Sequence, residues 1–263
     1  MIPKIIHYCW FGRNPLPKLA QKCIKSWKKH CPDYEIIQWN EDNYDLSAAP
    51  LYVRQAYEAK KWAFVTDYVR LQVVYEHGGI YLDTDVELIK KLDPLLQYDA
   101  YFGFEDGKHI ATGLGFGAVK GAPILRELME DYRDIPFILP DGGYDTQTCP
   151  VRNTEVFLRH GLRQDDSKQI LDGSILILPS IYLCPLEYAT GDRKRSLKTF
   201  SIHWFSASWH TEKQRQKAKE QEKEMRKLKM RGRIKDLLHT PQRIVLGLLG
   251  EARYEQLKRL LKK

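Results

Sequence analysis

Two carboxylates one residue apart, Asp83 and Asp85 in Tyr81-Leu82-Asp83-Thr84-Asp85, are the residues whose type and spacing most directly suggest chemistry. They close an apolar run, Ile80-Tyr81-Leu82, that reads as a strand. Side chains two apart on a strand point to the same side. Both carboxylates are therefore expected at the strand's C-terminal edge, where open α/β sheets bind ligands. Adjacent carboxylates repel, and a hard divalent cation with oxygen ligands relieves that repulsion. An isolated Asp-x-Asp also arises as a pair of solvated turn aspartates, so the motif alone decides nothing. Asp67 and Arg70, spaced i and i+3 on one helix face, add to it. A surface pair of this kind contributes little. These two lie among Ala63, Phe64, Val65, Val69, Leu71, Val73 and Val74, and a charged pair on a largely buried helix needs partners to offset desolvation. Ribose hydroxyls or phosphates of a ligand would supply them.

The elements that must hold these residues can be traced by periodicity. Lys4 to Phe11 reads as a buried strand ending in the turn residues Gly12-Arg13-Asn14-Pro15. Leu19, Cys23, Ile24 and Trp27 recur at helical spacing up to His30, and Tyr34 to Trp39 is a second strand. Strand, helix, strand at these intervals predicts a βαβ unit and a mostly parallel sheet. Lys61 to Glu76 is a helix closed by His77-Gly78-Gly79, leading straight into the acidic strand. Tyr101 to Glu105 and Gly115 to Val119 read as paired strands, Ile124 to Tyr132 as a helix, and Ile175 to Leu178 and Thr199 to Trp204 as late strands. Asp134 to Gln147, rich in Pro, Gly and Asp, reads as a surface loop. The division expected is an α/β domain over 1–211 and a basic helical extension over 212–263.

Composition narrows the function classes. The chain of 263 residues carries a net charge of +8, which would suit a nucleic-acid partner if it were spread over the body. It is not. Residues 212–263 hold 17 Lys and Arg against 7 Asp and Glu, leaving 25 against 27 in 1–211. A near-neutral body with a basic tail points to an anionic surface for the tail and argues against nucleic acid as a partner. The five cysteines, Cys9, Cys23, Cys31, Cys149 and Cys184, form no CxxC pair, which disfavours zinc ribbons and disulfide frameworks. The N-terminus opens on a strand-like run rather than a charged-then-apolar leader, and no apolar run approaches the ~18 residues needed to span a bilayer. The expectation is a cytoplasmic protein, peripheral on the inner face of the cell membrane.

Several motifs in order carry a family resemblance. Trp62-Ala63-Phe64-Val65-Thr66-Asp67-Tyr68-Val69-Arg70, then Tyr75-Glu76-His77-Gly78-Gly79-Ile80-Tyr81-Leu82-Asp83-Thr84-Asp85, resemble the DxD sugar transferases related to yeast initiating mannosyltransferase. Bacterial capsular-polysaccharide transferases belong to that group, and the clostridial glucosylating toxins are more distant. The opening Ile2 to Gly12, Asp145-Thr146-Gln147-Thr148-Cys149-Pro150 and Ile202-His203-Trp204 extend the likeness over roughly 1–210, and linked motifs are more specific than any one.

The resemblance implies a GT-A type fold and a retaining transfer from a nucleotide-sugar, a UDP-sugar by preference, to a saccharide or lipid-linked oligosaccharide acceptor in polysaccharide, including capsule, synthesis. It implies that Trp10 stacks on the base and that Asp67 and Arg70 contact ribose and sugar or phosphate. Tyr81 joins the donor side, Asp83 faces ribose and sugar with a share in the metal, and Asp85 binds the metal. Manganese is expected, magnesium being the alternative; bridging the phosphates, it acts as a Lewis acid. A lone His beside Trp is ordinarily a packed core residue. The resemblance makes His203 a metal ligand instead, and imidazole with carboxylates suits manganese. Ser206 and Trp209 are expected to close over the diphosphate.

Near the anomeric carbon the candidates are Glu105, Asp141, Asp145 and Gln147. A covalent sugar-enzyme intermediate and front-face attack are both open; the second is favoured because no carboxylate stands out as a nucleophile. Cys149 stands where relatives often have Gly, and no nearby His supports it as a nucleophile. The apolar residues Ile244, Val245, Leu246, Leu248, Leu249, Leu257, Leu260 and Leu261 of the tail are expected either to enter a membrane interface or to dock on protein. The competing readings are another metal-dependent nucleotide enzyme, a nucleotidyltransferase or phosphohydrolase, and a basic-tail nucleic-acid or scaffold protein. No P-loop, GxGxxG, HExxH or second acidic cluster supports the first, and the neutral body opposes the second.

Overall fold

A seven-stranded sheet with helices on both faces forms the body of the chain, described here by a computed structural model over residues 1–186 and 196–206. The strands are β1 (Ile5–Cys9), β2 (Glu35–Trp39), β3 (Gly79–Tyr81), β4 (Val86–Leu88), β5 (Ala100–Gly103), β6 (Phe116–Ala118), β7 (Gln169–Leu171), β8 (Ile175–Leu178) and β9 (Ser201–His203). The helices are α1 (Lys18–His30), α2 (Leu51–Glu58), α3 (Trp62–His77), α4 (Pro123–Glu130), α5 (Cys149–Arg159) and the single turn α6 (Ser180–Leu183). The large sheet has the order β2-β1-β3-β6-β5-β8-β7. Its pairings β1–β2, β1–β3 and β5–β8 are parallel, and β3–β6, β5–β6 and β7–β8 antiparallel. Five of the seven strands thus point one way, with β6 and β7 reversed, as the expectation of a mostly parallel α/β sheet requires.

Alternation along the strands divides the interior into two layers. Tyr81, Phe102, Phe116 and Ile177 pack with α2, α3, α4 and α5 on one face, while Ile80, Tyr101 and Leu176 pack with Trp27 and Cys23 of α1 on the other. Successive strand residues point to opposite faces, so an almost continuously apolar strand is what a sheet covered on both sides needs. Helix α1 ends in Lys28, Lys29 and His30, cations that complement the negative end of the helix dipole. Helix α3 is buried on most of its surface and terminates at Gly78, whose φ of 70° lies in the left-handed region. A side chain there would meet the Lys120 amide at 2.9 Å. That turn delivers the chain into β3.

Two corrections follow. The strand stops at Tyr81, so Asp83 and Asp85 lie in a turn, closed by the Val86 N–H donating to Asp83 O at 2.9 Å. Strand alternation therefore does not extend to Asp85. Elements α2, β4, β7, α5 and α6 also escape periodicity, being short segments whose apolar side chains answer to tertiary neighbours rather than to a long repeat. The extension 212–263 and Trp209 lie outside the described residues. No helix among the described residues is long and apolar enough to cross a membrane, and all five cysteines are unpaired and buried.

Candidate metal and donor site

Three elements converge on the turn after β3. Tyr81 and Asp83, two apart, share the α3 side, where the Tyr81 hydroxyl donates to Asp83 Oδ1 at 2.9 Å. The Leu82 N–H donates to His7 O on β1 at 3.0 Å and anchors the turn to the sheet edge. Strand β4 then pairs with β9 in a separate two-stranded sheet, with Val86 opposite His203. This pairing carries His203 to Asp85 across more than a hundred residues of sequence. Helix α1 braces β4: the Trp27 indole donates to Val86 O at 2.7 Å, and Ser26 Oγ accepts the Leu88 N–H at 2.9 Å.

The resulting cluster is Asp83, Asp85 and His203, with one donor atom from each all within 4.8 Å of one another. His203 Nε2 lies 3.2 Å from Asp85 Oδ1, and Asp85 Oδ2 accepts the Ser206 N–H at 2.7 Å. Burial opposes ionisation of Asp85, but His203 and the Ser206 N–H outweigh it and hold the carboxyl below the usual range. Burial likewise opposes charge on His203, and Asp85 together with Cys184 outweighs it, raising the imidazole well above its ordinary value. Asp83 is raised by burial, with Arg70 opposing. Two carboxylates and an imidazole fit a divalent cation of manganese or magnesium type, since their charge and their hard and borderline donors match it.

Behind the cluster Arg70 ties two carboxylates together. Its Nη2 lies 3.1 Å from Asp67 Oδ1 and 3.4 Å from Asp83 Oδ1, its Nε donates to Thr66 O at 2.9 Å, and the guanidinium sits over the Tyr81 ring. Burial lifts Asp67 to about 6 against the pull of Arg70. Buried charges persist only when paired and hydrogen-bonded, and here the partners are supplied by the protein itself.

Three residues around the cluster, Thr112, Asn153 and Gly113, carry no signal in the sequence spacing, while Cys149 stands in a motif. Thr112, Asn153 and Cys149 form a buried hydrogen-bonded group, with Thr112 Oγ1 3.1 Å from Cys149 Sγ and the Asn153 amide within 3.2 Å of both. Cys149 Sγ also lies 3.8 Å from Arg70 Nη1. Gly113 is the third: a Cβ there would meet Asp83 Oδ2 at 2.5 Å and Arg70 Nη1 at 3.2 Å. The only hint in the sequence was the motif containing Cys149. Its thiol is raised by burial to about 11, the opposite of an activated nucleophile.

The other expected site residues fall at graded distances from the cluster. Trp10 is half-buried just beyond β1, at the sheet edge that carries Asp83, and its indole donates to Asn14 O. Tyr81 is itself buried, so it reaches the site through Asp83 rather than by exposed surface. Glu105, following β5, feels His203 electrostatically, and burial raises its carboxyl. Asp145 has both oxygens engaged, by Arg152 Nη2 at 2.7 Å and by the Gln147 N–H at 3.0 Å. Gln147 and Asp141 are exposed and are not drawn into the cluster by any side-chain contact of their own. Ser206 reaches Asp85 through its backbone N–H at 2.7 Å, and its side chain also hydrogen-bonds that carboxyl.

Residues 17–102 match the family described as glycosyltransferase sugar-binding region containing DXD motif. The chain is 33% identical over 134 residues to inositol phosphoceramide mannosyltransferase 3 of Schizosaccharomyces pombe, covering 49% of this chain and 37% of that protein. It is 32% identical over 116 residues to mannosyl phosphorylinositol ceramide synthase CSH1 of Saccharomyces cerevisiae, covering 38% and 27%. The chain thus spans about a third of the length of the curated relatives it matches. Among solved structures, PaToxG glycosyltransferase superposes with a TM-score of 0.46 at 19% identity, covering 60% of this chain and 68% of that one. The resemblance to DxD sugar transferases is therefore shared by a family model and by named mannosyltransferases. The matched stretch includes Asp67, Arg70, Asp83 and Asp85.

Proposed function

We propose that the chain is a retaining, metal-dependent glycosyltransferase that moves a hexose from a nucleotide-sugar, a UDP-sugar by preference, to a saccharide or lipid-linked acceptor in surface-polysaccharide or glycoconjugate synthesis. The observation that carries this reading is the convergence of Asp83, Asp85 and His203 within 4.8 Å at the sheet edge, the two carboxylates inside a stretch that matches a sugar-binding family and the imidazole brought to them by the β4–β9 pairing. Asp85 and His203 would hold manganese or magnesium, with Asp83 turned toward the donor. A cation bound there supplies Lewis-acid neutralisation of the departing nucleoside diphosphate. The chain's own residues do the rest. Arg70 fixes the orientation of Asp83 from behind, Trp10 offers an aromatic surface for the base, and Glu105, close enough to His203 to feel its charge, is assigned to the sugar side. Oxygens of Asp145 already committed to Arg152 and Gln147 favour front-face attack over a covalent route through that residue. A glycosylated peptide containing Asp145 or Glu105, trapped in turnover and seen by mass spectrometry, would contradict front-face attack.

The names of the relatives put mannose among the sugars to test. Thermal-shift screening of UDP-glucose, UDP-galactose and GDP-mannose with manganese, repeated on Asp85→Asn, tests the reading. One donor is expected to stabilise the unmodified chain and lose most of that effect in the variant. Equal stabilisation of both proteins refutes metal-assisted binding. For 212–263, whose Lys and Arg would each contribute ~1 kcal/mol at an anionic surface, we propose peripheral attachment to an anionic membrane. Liposome flotation with and without these residues is the test, and equal recovery removes the proposal.

A further inference from the structure

We infer that the Asp145–Arg152 ion pair positions residues 145–148, the exit of segment 134–147, behind the donor site, and that Asp145 acts through this pair rather than on the sugar. The inference rests on the glycosyltransferase reading above. The first half of the segment is held independently: Gln55 Oε1 accepts the Phe137 and Ile138 N–H groups at 2.8 and 3.0 Å, and the Asp145 N–H donates to Phe137 O at 2.8 Å. The tip folds back on the first half, with the Leu139 N–H donating to Gly143 O at 2.9 Å and the Tyr144 ring stacked on Phe137; the Asp145 side chain, which receives Gln147 N–H on one oxygen and Arg152 Nη2 on the other, ties the outgoing residues 145–148 to α5.

Arg152 is a well-built anchor. It is buried, its guanidinium lies 5.1 Å from the Tyr132 ring and 5.9 Å from the Tyr52 ring, and Asp145 is its salt-bridge partner. Its other acidic neighbours are Asp131, whose backbone oxygen accepts from Arg152 Nη1 at 3.4 Å, and Asp67, already paired with Arg70. Helix α5 starts directly after the segment, and its first residue, Cys149, touches Arg70, which holds Asp83. A displacement of 145–148 is therefore transmitted to the back of the donor site. Neutralising Asp145 leaves Arg152 as a buried cation without its salt-bridge partner, its Nη1 still donating to Asp131 O, and neutralising Arg152 releases residues 145–148 from the other end. The two residues form one device, so their losses should not add.

The test compares Asp145→Asn, Arg152→Gln, the double variant and Arg152→Lys in the full chain. The readouts are hydrogen exchange of amides 137–148, nucleoside diphosphate affinity with manganese by calorimetry, and kcat and KM for hydrolysis of UDP-glucose and GDP-mannose. Both single variants are expected to lose exchange protection over 145–148 alike, and kcat should fall about tenfold in each. The double variant should be no worse, diphosphate affinity and KM should stay unchanged, and Arg152→Lys should recover part of kcat. The inference is overturned if Asp145→Asn abolishes turnover while Arg152→Gln keeps it, which would mark direct action on the sugar. It is equally overturned if the two variants differ in exchange. An unmodified chain that binds neither UDP nor GDP with manganese refutes the donor reading instead, and the exchange comparison still decides the coupling.

Discussion

Gly113→Ala adds one methyl group at the point where the site has least room. The backbone at Gly113 lies outside the left-handed region, so alanine meets no backbone penalty there and the whole effect comes from the methyl. Its Cβ would stand 2.5 Å from Asp83 Oδ2, and ordinary contact begins near 3.4 Å, so the carboxylate must retreat by roughly 0.9 Å. Asp83 is held by Tyr81 at 2.9 Å and by Arg70 at 3.4 Å, and a retreat of that size breaks at least one of these contacts. Overpacking of this kind costs about 1–3 kcal/mol of stability. A displacement near 1 Å at a reacting centre can cost ~10²-fold in rate. The expected outcome is a modest fall in melting temperature with a much larger loss of manganese-dependent diphosphate release. The assay is a melting curve beside steady-state hydrolysis of the donor that stabilises the unmodified chain. Turnover within a factor of two of the unmodified chain, with an unchanged melting curve, would refute the claim that Gly113 sets the position of Asp83.

Three further outcomes follow from the buried polar groups. His7 accepts the Trp39 indole N–H on Nδ1 and so donates from Nε2 to Gly78 O; burial pushes it from 6.5 down to about 4. Its stabilising contribution is therefore complete above pH 6.5 and is lost as pH falls through the interval down to 4, by about 3 kcal/mol in all. Urea melts of the chain and of His7→Gln at pH 7.5 and 4.5 should differ by that pH-dependent amount, and parallel curves would contradict it. Cys149→Ser should keep most of the turnover, and iodoacetamide should leave the folded thiol unmodified, as read by mass spectrometry of the intact protein. Arg70→Met leaves Asp67 and Asp83 without their shared cation, and denaturant melts should show a loss of ~3–5 kcal/mol.

The course of the chain through β1, α1, β2, α3 and β3 was legible because these are long or strongly patterned segments between clear turn residues. The Asp83–Asp85 motif and the buried Asp67–Arg70 pair were legible for the same reason: charge on an apolar helix needs an explanation. The place of His203 was not readable from spacing, since it depends on a two-stranded pairing between residues 86–88 and 201–203. Resemblance alone supplied it. Gly113, Thr112 and Asn153 were invisible because their significance is steric and tertiary, and nothing local marks a glycine as facing a carboxylate. The motif makes Asp145 a candidate near the sugar, while its partner Arg152 lies one helical turn into α5, an element that periodicity passes over.

Asp85 and His203, with Asp83 beside them on the donor side, are proposed to hold a divalent cation that helps bind the donor diphosphate. Titration of manganese into the chain with UDP or GDP present, followed by the loss of the free-ion signal in electron paramagnetic resonance, tests this most directly. The unmodified chain should bind one manganese per molecule, with Asp85→Asn and His203→Ala each weakening binding by tenfold or more, in line with the loss of a ligand. Manganese binding of equal strength in all three proteins would contradict the account.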